Sequence, residues 1–224
     1  MTRDHLLAAA AGLLIVALIV SGIAPHDRLT WLMEVMPVLI ALPLMLATAR
    51  RYPLTNLLYA GIFLHALVLI AGGAYTSARV PLGNVFADWF DLARNPYDKL
   101  GHFMQGFVPA LVAREVLLRG AYVRTRAMLN FIVVCIVLAI SASYELIEWL
   151  TALALGQGAD EFLGTQGDPW DTQSDMACAL LGAVLALLVL GRHHDRELEQ
   201  LARRTSQTAR GRTLPQEPAR GARV

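Results

Sequence analysis

Apolar residues fall in runs of about twenty along this chain, separated by short stretches that hold charges, Pro and Gly. Wound as a helix rising about 1.5 Å per residue, such a run crosses the roughly 30 Å hydrocarbon core of a bilayer. The pattern predicts six helical spans, at residues 6–23, 31–49, 54–71, 96–118, 127–150 and 169–190. The expected fold class is therefore all-α, a polytopic membrane bundle, with residues 1–191 as its transmembrane domain. A cleaved signal peptide competes for the first run, because Gly22 and Ala24 are small residues near a plausible cut, but the run is long for a signal core. Pro37 and Pro43 are expected to bend the second span and Pro109 the fourth, which is tolerable where neighbours satisfy the freed carbonyls. Residues 73–95 read as a mixed loop whose Trp89 and Phe90 suit an interfacial position. Beyond residue 191 the apolar periodicity stops. The stretch 192–224 reads as a polar cytoplasmic tail, a short helical extension over Asp195 to Leu201 and then disorder.

Composition sharpens this. The chain is 56% hydrophobic and 17% charged, with mean hydropathy +0.49, too apolar for an ordinary soluble domain. A net charge of +1 implies no nucleic-acid partner. Six spans put both termini on one side. With that side cytoplasmic, Arg3, Arg50, Arg51, Arg119, Arg124, Arg126 and the tail arginines lie inside, against Arg28, Arg79, Arg94 and Lys99 outside. The bias places the chain in the bacterial inner membrane with both termini in the cytoplasm. Cys135 and Cys178 sit in different spans, at depths about 9 Å apart, which argues against a disulfide.

This topology gathers the polar residues. Spans four and six begin, and span five ends, at the outer face. Asp98, Lys99 and His102 open span four; Glu145 and Glu148 close span five; Asp168, Asp171 and Asp175 open span six. Spacings of three or four put Glu145 with Glu148, Asp171 with Asp175 and Asp98 with His102 on shared helix faces. Such faces turn to the bundle interior or a wet cavity, since lipid exposure of a charge costs several kcal/mol. Helix capping accounts for part of the set. Asn95-Pro-Tyr-Asp and Asp168-Pro-Trp-Asp both read as an N-cap followed by Pro at the first helical position. It does not account for Asp175, nor for Glu145 and Glu148 at a helix C-terminus, where the dipole opposes negative charge.

The carboxylate excess over Lys99 and His102 points to a bound cation or to protonated acids. His102, Glu145, Glu148, Asp171 and Asp175 form a candidate metal-ligand set. Its N/O chemistry suits Zn²⁺, Mn²⁺ or Mg²⁺ without choosing among them. Glu145, Glu148 and Asp171 are candidate catalytic acid/base groups, and Asp98, Lys99 and Gln105 candidate substrate-binding groups. The substrate in view is a lipid-linked or phosphorylated envelope molecule reached from the bilayer. No HExxH, GxSxG or P-loop motif is present. The alternative is a non-enzymatic protein, a small transporter or a structural partner, in which the cluster locks helices together. Arg114 and Glu115 are expected to snorkel from the inner end of span four. His65 and Asn56 are expected to be satisfied inside the bundle. Gly101, Gly106 and Gly182 suit close helix contact. Oligomeric state is not legible.

The segments DKLGHFMQGFVPALVAREVLLR (98–119), YELIEW (144–149) and DPWDTQSDMACALLGA (168–183) resemble the YjdF-like family of bacterial inner-membrane proteins. That resemblance implies a membrane protein without supplying an activity. A more distant likeness is to the VanZ-like proteins, associated with glycopeptide (teicoplanin) resistance and the cell envelope. Asp98, Lys99, His102 and Phe103 match their first element, Glu145 the second and Asp171 the third. Glu148 stands where Gln is usual, Asp175 for Asn and Cys178 for Gly, and the Arg that tends to precede the third element is not evident.

Overall fold

In the computed structural model, which describes residues 2–155 and 166–213, the regular structure is entirely helical among the described residues. The elements are α1 (Arg3–Ile23), α2 (Arg28–Thr48), α3 (Asn56–Tyr75), a 3-10 turn (Ser77–Arg79), α4 (Pro81–Phe90), α5 (Tyr97–Arg119), α6 (Arg126–Leu155), α7 (Asp171–Leu185), a π turn (Ala186–Leu190) and α8 (Gly191–Thr213). The chain is thus a polytopic helical bundle. α1, α2, α3, α6 and the continuous α7–π–α8 rod are each long and apolar enough to cross a membrane. α5 has the length, 23 residues, but its polar side chains lower its hydropathy. Leu13, Val16, Ile19, Phe131 and Leu188 lie exposed on the bundle's flanks, as side chains that face lipid must.

Local sequence sets the helix starts. Thr2, Asp27 and Thr55 each accept a backbone N–H three residues on, from His5, Thr30 and Leu58. Asn95 and Asp168 accept from Tyr97 and Trp170, two residues on, but they are not the expected N-caps: α5 begins at Tyr97 after Pro96 and α7 at Asp171 after Trp170, so neither Pro is the first helical residue. α2 and α5 run through Pro37, Pro43 and Pro109 without interruption.

Two apolar cores meet at α3. One joins Leu14 and Leu18 of α1, Val35 and Val38 of α2, and Ala66 and Ile70 of α3. The other joins Leu58, Ala110, Leu111, Leu129, Val133, Val137, Ala179, Ala183 and Ala186. The most extensive helix pair is α5 with α7. Its closeness comes from two glycines. A Cβ on Gly106 would lie 1.8 Å from the Ala179 carbonyl oxygen, and one on Gly182 would lie 2.1 Å from that of Phe103. The backbones touch there, and dispersion and packing replace the hydrophobic drive that lipid cannot supply. Gly101 differs from expectation, because nothing lies within 4 Å of its Cβ position.

The bundle has two polar ends. At one, Arg3 of α1 donates to the Leu54 carbonyl, and Arg119 of α5 donates to that of Pro53. Glu197 of α8 accepts the Leu57 N–H at the start of α3. The N-termini of α1, α3 and α6, the C-terminus of α5 and the start of α8 therefore lie together. The starts of α2, α5 and α7, with the C-termini of α1, α3 and α6, make the opposite end.

Several expectations need correction. Residues 73–95 are not simply a loop: α4 lies among them, held because Gly83 packs on Asn95, whose Nδ2 donates to Val80 and Asn84. The helical extension past residue 191 reaches Thr213 rather than Leu201. α6 continues through Leu155, past the expected loop start at Thr151. The rest of that loop, 156–165, and the tail beyond 213 lie outside the described residues. Arg114 and Glu115 do not snorkel but are fully buried. His65 keeps a buried Nε2 with no hydrogen-bond partner, and Asn56 is met at the surface by Arg3.

Candidate functional site

The first two turns of α5 and α7 lie side by side at one end of the bundle, because Gly106 and Gly182 admit close contact below. Charged groups there alternate in a ladder. Arg94, just before α5, donates from Nη2 to Asp168 Oδ2 (2.7 Å) and from Nη1 to Asp171 Oδ1 (2.8 Å). Lys99 Nζ then bridges Asp171 Oδ1 (2.6 Å) and Asp175 Oδ1 (2.7 Å). Partial burial works against the Arg94 charge, but the hydrogen bond and charge of Asp171, with Asp168 behind it, outweigh this and make the guanidinium more basic than usual.

His102 lies one turn deeper, 5% exposed. Its Nε2 points between Asp98 Oδ1, at 3.8 Å, and Asp175 Oδ1, at 3.9 Å, both beyond hydrogen-bonding distance. Its Nδ1 meets Gln105 Oε1 at 3.1 Å and donates to it, which leaves Nε2 facing the two carboxylates. Glu145 of α6 approaches the same Nδ1 at 3.7 Å, and its buried Oε1 has no hydrogen-bond partner. The Tyr144 ring stands edge-on to the imidazole, 6.1 Å away. Glu148 is half-buried within electrostatic reach of Glu145, Asp98 and Asp175.

The structure thus brings together Asp98, Lys99, His102, Gln105, Glu145, Asp171 and Asp175, with Glu148 close by. Donor atoms of Asp98, His102 and Asp175 lie within 4.8 Å of one another, a grouping that could hold a metal ion. This grouping differs from the ligand set read from sequence. Asp98 joins it, and Asp171 is held by two cations instead. Sequence reasoning missed two members. Arg94 counted only as a loop charge, although it stands three residues before the start of α5. Glu34 of α2 accepts from Ser77 Oγ at 2.6 Å and lies within electrostatic reach of His102 and Asp98. A lone acid within an apolar span was the available signal.

A second polar network occupies the opposite end. Arg114 donates to His194 Nδ1 at 3.2 Å, which obliges His194 to donate from Nε2 to Glu115 Oε2, at 3.1 Å. Thr55 Oγ1 and Arg119 complete the Glu115 carboxylate at 2.8 Å each, and Asp195 pairs with both Arg114 and Arg126. Here every charge has its partner.

Fold and site together define a class, the multi-span membrane protein with a charged, largely buried site at one end of its bundle. The chain belongs to the family described as "Predicted membrane protein (DUF2238)", which matches residues 6–196 and so covers both polar networks. It is 66% identical over 183 residues to the inner membrane protein YjdF of Escherichia coli (strain K12), a match spanning 82% of this chain and 88% of that relative. No solved structure matches. The likeness noted at 98–119, 144–149 and 168–183 is therefore family membership, and the protein is an integral inner-membrane protein.

Proposed function

We propose that this protein serves the cell envelope by binding a positively charged ligand in its His-containing acidic site, on the extracytoplasmic side of the membrane. One observation carries the reading. Arg94 and Lys99 are used by Asp168, Asp171 and Asp175, which leaves Glu34, Asp98, Glu145 and Glu148 around the single imidazole of His102. Uncompensated carboxylates in a low-dielectric site attract a cation strongly. The same occupation of Lys99 weighs against a role as a free phosphate clamp. Glu145 and Glu148 are the groups best placed for acid/base work on whatever binds, while Asp171 is tied to two cations. The outward orientation rests on the arginines, which concentrate at the opposite end of the bundle.

The test is thermal melting of the detergent-purified protein against a panel of divalent, monovalent and organic cations, for the wild type and the Glu145→Gln/Glu148→Gln double variant. A cation that raises the wild-type Tm and leaves the variant unmoved supports the reading. A wild type indifferent to every cation overturns it. The Arg94 and Lys99 ladder favours a second reading, in which the cluster only locks α5, α6 and α7 together. On that reading Asp175→Ala lowers the Tm, because Lys99 loses a buried partner. Unchanged melting of that variant counts against it.

A further inference from the structure

We infer that the cation is a divalent first-row metal ion, held by Asp98, His102 Nε2 and Asp175, with Gln105 and Glu145 as positioning residues behind the histidine. The inference rests on the cation-binding reading above and narrows it to one ligand class and one set of donors.

Spacing comes first. Two donors on a common Zn²⁺ or Mn²⁺, each at about 2.1 Å and at a tetrahedral angle, stand about 3.4 Å apart. The observed separations from His102 Nε2 are 3.8 and 3.9 Å, and all three donors lie within 4.8 Å of one another. The two gaps from Nε2 are too long for hydrogen bonds. Small side-chain movements close them onto an ion.

The second observation is the state of the histidine itself. His102 is more than nine-tenths buried, and its Nε2 makes no hydrogen bond. A buried imidazole with one nitrogen fixed by an acceptor and the other aimed at two carboxylates is the arrangement of a metal-ligating histidine. The partner on the far nitrogen sets the tautomer and raises ligand basicity. Gln105 Oε1 supplies that partner at 3.1 Å. Glu145 stands next to it at 3.7 Å, its Oε1 buried without a donor. Glu145 is therefore on the wrong side of the ring to share an ion with Nε2, and acts through the imidazole.

Charge is consistent with this. Lys99 Nζ donates to Asp175 Oδ1, the same oxygen that faces His102 Nε2 at 3.9 Å, and so holds that carboxylate against the imidazole. Asp98 has no Lys or Arg partner among the described residues. A dication between the two aspartates compensates the charge that Arg94 and Lys99 do not reach. The mixed N/O donor set suits Zn²⁺ or Mn²⁺ better than Ca²⁺ or Mg²⁺, which prefer oxygen alone. Three protein donors leave coordination positions open, where water or an oxygen of an envelope molecule completes the sphere.

The experiment is metal content by mass spectrometry on full-length protein purified without chelator, then after stripping and reloading with Zn²⁺ or Mn²⁺. Wild type is expected to hold about one ion per chain. Asp98→Asn and His102→Gln, both close in size to the native residues, are expected to lose it while remaining monodisperse. Cys178→Ser is expected to keep it, which excludes thiolate binding. Gln105→Leu and Glu145→Gln are expected to keep the ion but bind it about 10- to 100-fold more weakly, the usual cost of losing an outer partner. Co²⁺-loaded wild type should show visible d–d bands that His102→Gln lacks. No ion in reloaded wild type, or equal loading of His102→Gln, overturns the inference. If no metal binds but an organic or monovalent cation still raises the wild-type Tm, the metal assignment fails and the broader reading stands. If no cation acts at all, both fail.

Discussion

At the residue scale, glycine decides how close two helices come. Gly106 and Gly182 face backbone carbonyls, which cannot move aside as a flexible side chain can. Gly106→Ala or Gly182→Ala must push α5 and α7 apart, at a cost of about 1–3 kcal/mol for overpacking a close contact. The expected outcome is a clear fall in Tm in detergent for either variant. Gly101→Ala, with open space at its Cβ position, should melt like the wild type or slightly higher, since alanine is the better helix former. Equal melting of all three would mean that the α5–α7 contact is looser than described. The effect reaches the site, because Lys99 and His102 on α5 meet Asp171 and Asp175 on α7 only at this separation.

At the element scale, the α7–π–α8 rod joins the two polar ends. Its N-terminus presents Asp171 and Asp175, and its later turns present His194, Asp195 and Glu197 to α3 and α5. An α-helix turns about 100° per residue, so the extra residue of the π turn at Ala186–Leu190 re-aims everything after it. Deleting Val189, an exposed π-turn residue, restores ordinary register and turns His194 about 100° away from Glu115. Glu115, which is 0% exposed, would lose one of its partners in the interior. Strong destabilisation is expected, measurable as a drop in detergent melting, whereas Val189→Ala should be mild. A deletion variant that melts like the wild type would show that the π turn does not set this register.

At the scale of the whole molecule, the bundle separates two kinds of polar chemistry. One end is a satisfied network around Glu115, which fastens α3, α5, α6 and α8. The other carries carboxylates in excess around an imidazole nitrogen that makes no hydrogen bond among the described residues. On the proposed reading, stability and function are divided between the two ends. The expected topology puts the satisfied end in the cytoplasm. Reporter fusions test this: a fluorescent protein placed after Thr213 should mature in the cytoplasm, and alkaline phosphatase inserted near Asp88 on α4 should be active outside. Reversed signals would move the acidic site to the cytoplasmic face.

The sequence by itself determined the long apolar helices and their order, though not α4 or the reach of α8, and the pairing of polar residues on helix faces. Apolar run length, turn residues and spacings of three or four are local quantities, written in consecutive positions. It also carried the meeting of Asp98, Lys99, His102, Glu145, Asp171 and Asp175 at one end, because alternate crossing fixes depth. Tertiary structure alone decided who pairs with whom. Arg94 claims Asp168 and Asp171, Glu34 arrives from a distant helix, and Asp98 rather than Glu145 faces the free nitrogen of His102. It also buried Arg114 and Glu115, whose partner His194 is about eighty positions away in a stretch read as solvated tail. Rotation of a helix about its axis, and a one-residue shift in a π turn, depend on the packing of every neighbour at once.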